Sequence, residues 1–214
     1  MNKNIYSLVL SEDVVAAVDR LAYSMHTNRS NMVNQILAEY VSYVTPEKRM
    51  QQIFERLDDI LSGGNIFQAL TQPSASVFQL RSSLAYKYNP TVKYNVEIYR
   101  QAGRSVGELK VSLRTQNGTL GLYLIQFFKL WSKIEHSYRI SAESSVEDGK
   151  FVKKLIIDSD IPDADTLAEA IYDYINVFDK AMKTFFYRIE EPAAASAEVE
   201  NIYKNYIMSS KLPL

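Results

Sequence analysis

Residues 5–13 read IYSLVLSED, an alternating strand that runs without a turn into a helix start, and no second strand lies nearby in the chain. Only four residues precede it, and those that follow begin an amphipathic helix at once. Backbone N–H and C=O groups need partners, and a lone strand presents a full row of unpaired ones. Strand 5–10 is therefore expected to be completed by the same strand of a second chain, antiparallel about a two-fold axis. Pleat parity then turns Tyr6, Leu8 and Leu10 toward the helices and puts Lys3, Ile5, Ser7 and Val9 on the outer face.

Two helices follow. In SEDVVAAVDRLAYSM, Ser11 is placed to cap, Glu12 and Asp13 favour the helix dipole, and Val14, Val18, Leu21, Ala22 and Met25 share a face. After the turn HTN, the stretch RSNMVNQILAEYVSYV has Asn28 or Ser30 as its cap and Val33, Ile36, Leu37, Tyr40 and Val44 as its stripe. A module of about 45 residues built this way has too little apolar surface to stand alone, which again asks for a second copy.

NIYSLVLSEDVVAAVDRLAYSMHTNRSNMVNQILAEYV, residues 4–41, resembles a ribbon-helix-helix domain of the MetJ/Arc type, a likeness that extends over residues 4–44. The marks are the strand ending in Leu10, the Ser11-Glu12 cap, the apolar spacing of the first helix, and Asn28-Arg29-Ser30 opening the second. The resemblance implies an obligate homodimer whose two-stranded ribbon enters the major groove of double-stranded DNA. Lys3, Ile5, Ser7 and Val9 would then face the bases. It also implies a phosphate held at the amino end of the second helix by Asn28, Arg29, Ser30 and Asn31, with Arg29 the leading contact. Ile5 and Val9 depart from the family's polar or basic ribbon, and their contacts would be with groups such as thymine methyls.

Thr45-Pro46 restarts a helix in which Met50, Ile53, Leu57 and Ile60 alternate at spacings of three and four. That stripe fits either a two-heptad coiled coil or packing on its own domain, and Ser62-Gly63-Gly64 stops it. Residues 62–76, SGGNIFQALTQPSAS, read as an interdomain connection. Beyond them FQLRSSLAYKY, TVKYNVEIY and GELKVSLRT alternate as three antiparallel strands, and TLGLYLIQFFKLWSKI is an apolar helix. HSYRISAESS and KFVKKLIIDS form a hairpin about Glu147-Asp148-Gly149, and a long helix carries Leu167, Ile171, Ile175 and Phe178. Residues 107–134 and 149–182 each run from glycine through strand and turn to helix, a hint of duplication. The tail is a Pro/Ala-rich spacer and a short amphipathic segment, Val199 to Met208, either docked on a partner subunit or mobile. The expected class is α+β: a ribbon-helix-helix module (1–45), a connecting helix and linker (46–74), an α+β domain with antiparallel sheet (75–190) and a tail (191–214).

Net charge is −1 over 214 residues but unevenly spread: 6 basic against 8 acidic in 1–74, 10 against 3 in 75–140, and 8 against 14 in 141–214. Strand parity gathers Arg81, Lys87, Lys93, Lys110 and Arg114 on one face, a second basic surface that either holds phosphates or is simply solvated. There is no cysteine, His26 and His136 have no neighbour at ligand spacing, and no phosphate loop or Ser/His/Asp arrangement is present. No catalytic residue, metal or cofactor is therefore expected. The cluster Asp158, Asp160, Asp163 and Asp165 lacks a calcium loop's glycine and later glutamate, and fits better as a helix cap through Asp163 or Asp165. The longest apolar run is far short of a membrane span, and MNKN is unlike a signal peptide, so a cytoplasmic location is expected. The expected protein is a bacterial homodimeric DNA-binding repressor whose later domain serves oligomerisation, ligand sensing or added DNA contact. The other reading is a protein-interaction or scaffolding dimer, such as an accessory factor for plasmid partition or DNA processing.

Overall fold

The computed structural model describes residues 7–70, 74–100, 103–139 and 141–214. The chain divides into two compact units, Met1–Arg49 and Met50–Leu214.

In the first unit, α1 (Glu12–Ser24) starts after Ser11, whose carbonyl accepts from the Val15 amide at 3.1 Å but whose hydroxyl makes no capping bond. Helix α2 (Arg29–Tyr40) is capped by Asn28 rather than Ser30: the Asn31 amide donates to Asn28 Oδ1 at 2.9 Å. It stops four residues short of the expected Val44. Ser42 turns left-handed (φ 56°), and the Tyr43 amide closes the end on the Ala38 carbonyl at 2.7 Å. Among the described residues the apolar cluster here holds only Val18, Ala22 and Met32, with Val33 partly buried. The other expected stripe residues, Val14, Leu21, Met25, Ile36, Leu37, Tyr40 and Val44, are exposed. Residues 7–10 join no strand and are exposed, while Lys3, Ile5 and Tyr6 lie outside the described residues.

The second unit is α+β. A six-stranded antiparallel sheet, in spatial order β1-β2-β3-β4-β6-β5, comprises β1 (Gln68–Ala69), β2 (Val77–Ser83), β3 (Thr91–Ile98), β4 (Ser105–Leu113), β5 (Ser144–Glu147) and β6 (Lys150–Ile156). One face packs against α3 (Pro46–Ser62), α4 (Gly118–Tyr138), α5 (Ala164–Tyr187) and α6 (Pro192–Ser209). Phe178 of α5 sits at its centre, its ring against those of Tyr94, Phe151, Phe127, Phe128, Trp131 and Tyr174. The glycine-to-helix stretches fold as β4–α4 and β6–α5, with β4 and β6 adjacent and antiparallel.

Several expectations change. The stripe of α3 packs on its own unit: Met50, Ile53 and Leu57 are buried together with Phe54 and Leu61. Residues 62–76 are more than a connection, because β1 pairs with β2 and Phe67 is buried edge-on against Tyr94. Strand β2 ends at Ser83 instead of running to Tyr88, since residues 84–89 turn with Tyr88 and Asn89 left-handed (φ 66° and 43°). The hairpin's first strand begins only at Ser144, residues 136–138 having stayed in α4. The tail is neither spacer nor mobile segment. Pro192 opens an 18-residue helix whose Ala195, Val199, Tyr203 and Tyr206 are buried in the unit's own core. Gly107 is required where β4 bulges, because a Cβ there would run into the Glu97 carbonyl.

Within this apolar layer lies a buried ion pair. Lys153 of β6 (1% exposed) meets Glu135 of α4 (0% exposed) at 2.9 Å, and the Tyr174 hydroxyl donates to the same Glu135 oxygen at 2.6 Å while accepting from Trp131 Nε1 at 2.9 Å. Removing one partner strands the other charge, whereas removing both spares that penalty. Lys153→Met is expected to cost about 3–5 kcal/mol, and Glu135→Leu/Lys153→Met much less than the sum of the single changes. Urea unfolding followed by the fluorescence of Trp131, the chain's sole tryptophan, measures both.

Candidate nucleic-acid interface

The α1–α2 pair shows where the sequence-predicted contact residues stand. Ser7 and Val9 are exposed, Val9 completely so. Lys3 and Ile5 fall outside the described residues. Asn28, Arg29, Ser30 and Asn31 come together at the start of α2, all four open to solvent, and the Asn31 amide is already taken by the Asn28 side chain. Arg29 is engaged as well. Its Nε donates to Asp19 Oδ1 at 2.7 Å and its Nη2 to Asp19 Oδ2 at 2.5 Å, a two-pronged bridge from α2 to α1. The hydrogen bond from Arg29 holds the Asp19 carboxyl below its ordinary pKa.

Apolar exposure is concentrated beside these residues. Of the twenty large apolar side chains that are exposed among the described residues, thirteen lie between Leu8 and Val44. Isolated exposed hydrophobics are ordinary on a protein surface, and the density of them on these roughly 40 residues sets the first unit apart.

On the second unit, the five residues of the expected basic surface separate into three situations. Arg81 and Lys93 are opposed across β2 and β3 on the open face of the sheet, and Arg81 Nε donates to Gln68 Oε1 at 3.0 Å. Lys110 is ion-paired to Glu108, which also binds Lys154 at 2.5 Å and the Tyr99 hydroxyl at 3.0 Å. Lys87 and Arg114 are exposed but stand beyond the strand ends, in the 84–90 turn and just after β4. The ring of Tyr86, beside Lys87, packs edge-on against Phe186. The face is therefore a mixed polar surface with Arg81 and Lys93 its leading cations.

The aspartate cluster is dispersed among structural tasks. Asp163 caps α5, accepting from the Thr166 amide at 2.7 Å, and Asp158 accepts from Ser141 and Arg139 at 2.6 and 2.7 Å. Among the described residues no group of three or more His, Cys, Asp or Glu side chains is placed to hold a metal ion, and no helix is long and apolar enough to cross a membrane. Asp19 and Glu108 escaped the sequence reading because their partners are set by the fold, Arg29 ten residues on for Asp19, and for Glu108 Lys154 on the neighbouring strand as well as Lys110 two residues on. No protein-family model, curated protein or solved structure matches the chain.

Burial opposes ionisation of Glu108, but hydrogen bonds from Lys110, Lys154 and Tyr99 outweigh it and hold the carboxyl at about 2 instead of 4.5. A carboxylate lowered on folding stabilises fully above its unfolded pKa, and that stabilisation drains away as pH falls through the folded value. The second unit is thus expected to lose stability between about pH 5 and pH 2, and Glu108→Gln to be about 1–3 kcal/mol less stable at pH 7 with a flatter profile in that window. Urea titrations across this pH range provide the check.

Proposed function

We propose that the protein is a homodimeric DNA-binding protein acting as a transcriptional repressor. In this reading residues 5–10 of two chains pair antiparallel into a ribbon laid in the major groove, and the start of each α2 rests on a phosphate. The observation that carries it is the exposed apolar surface of the first unit: among the described residues three buried apolar side chains make up its cluster, while Leu8, Leu10, Val14, Leu21, Ile36 and Leu37 are exposed. A second copy that contributed its own strand and helices would cover such a surface and give residues 7–10 their missing ladder. The ribbon-helix-helix resemblance of residues 4–44 supplies the DNA-binding part of the proposal. The α+β unit would then serve oligomerisation, ligand sensing or a further DNA contact through Arg81 and Lys93.

A scaffolding dimer, an accessory factor for plasmid partition or DNA processing whose ribbon meets protein, is the second reading. It is favoured by the fully exposed Val9, which has no hydrogen bond to offer a base, and by the commitment of Arg29 to Asp19.

Binding to random-sequence duplex separates the two. A DNA-binding dimer is expected to lose affinity steeply as salt rises, and Arg29→Ala to weaken all sequences about equally while reducing the log–log salt slope by about 1 for each subunit. Binding that ignores both salt and Arg29 would favour the scaffold.

A further inference from the structure

We propose that Asp19 is an internal competitor of the DNA phosphate for Arg29, so that duplex binding at the start of α2 proceeds by exchanging one two-oxygen anion for another. The inference rests on the DNA-binding reading and adds a brake to it.

The geometry is that of a fork on a fork. The two parallel N–H donors of Arg29, Nε and Nη2, each hold one oxygen of the same carboxylate, at 2.7 and 2.5 Å. A phosphate presents two oxygens to a guanidinium in the same manner, so carboxylate and phosphate cannot occupy this edge together. The pair is also accessible, with Arg29 and Asp19 side chains 58% and 43% exposed, so an incoming anion can reach the fork without unpacking the helices. The remaining surroundings favour the exchange. The Asn31 amide is bound by Asn28, so one backbone donor at this helix end is already occupied, and Arg29 supplies the cationic donor there.

Magnitude decides whether Asp19 is a lock or a brake. Exposed ion pairs contribute at most about 1 kcal/mol, whereas each neutralised duplex phosphate also releases condensed counterions. Phosphate therefore wins at low salt, and the carboxylate lowers affinity by a modest factor that grows in relative weight as salt rises.

The test is a double-mutant cycle on the full chain, read as affinity for a random-sequence duplex at low ionic strength. Asp19→Asn is expected to bind about threefold more tightly per subunit, about tenfold for a dimer, and the gain is expected to vanish in the Arg29→Ala background. Asp19→Ala, which also removes the hydrogen-bonding oxygens, should match Asp19→Asn. No gain, or an equal gain with and without Arg29, would overturn the inference and leave DNA binding standing. If the parent chain and all variants fail to retain duplex, the DNA-binding reading itself is lost and the brake with it.

Discussion

Among the described residues the helix pair of the first unit buries only Val18, Ala22 and Met32 in its own cluster, and scarce apolar burial is the constraint on which its stability turns. Burial of a Leu, Ile or Val side chain is worth about 1.5–3 kcal/mol. Leaving Leu21, Leu37, Ile36 and Val14 exposed forgoes several such contributions in a module that has few to spare. In the proposed dimer, the second copy that covers these residues would also complete the backbone of residues 7–10, one association answering both deficits.

The second unit solves the opposite problem. Its sheet and four helices bury a large aromatic core around Phe178, and two polar networks lie inside it. Lys153, Glu135, Tyr174 and Trp131 form one chain of contacts, and Asp179 forms another with Ser82 (2.5 Å), Tyr94 (2.7 Å) and Lys183 (2.5 Å). Such networks contribute less net stability than hydrophobic packing of the same volume, but they fix which side chains face one another. On the sheet, Glu108 gathers Lys110 and Lys154, so Lys110 is a neutralised member of the basic stretch 75–140. Asp19 balances Arg29 in the first unit by the same principle.

Periodicity made most elements legible. Alternation gave β2, β3 and β4 to within a few residues, and Asn28, Asn117 and Asp163 each mark a helix start that their side chains cap. Turn chemistry gave the β5–β6 hairpin, where Asp148 and Gly149 are both left-handed (φ 49° and 73°). The tail was misread because PAAASAEV looks like a spacer until Ala195 and Val199 are seen to line up with Tyr203 and Tyr206 against the core. The buried ion pair had a signal that went unused. Lys153 shares the inward parity of Phe151 and Leu155, and Glu135 continues the apolar row of Leu124, Phe128 and Trp131. What no local pattern reveals is partnership at a distance, and for that reason Arg29 read as a free cation while Asp19 holds it. The ribbon expected over residues 5–10 would require a second chain, and residues 7–10 join no strand within this one.

The central claim is that two chains share one amino-terminal core, and sedimentation equilibrium of the full chain at micromolar concentration tests it most directly. The account predicts a species of twice 24.5 kDa that Leu8→Asp splits into single chains. A folded protein of 24.5 kDa at those concentrations, or a dimer indifferent to a charge at Leu8, would contradict it.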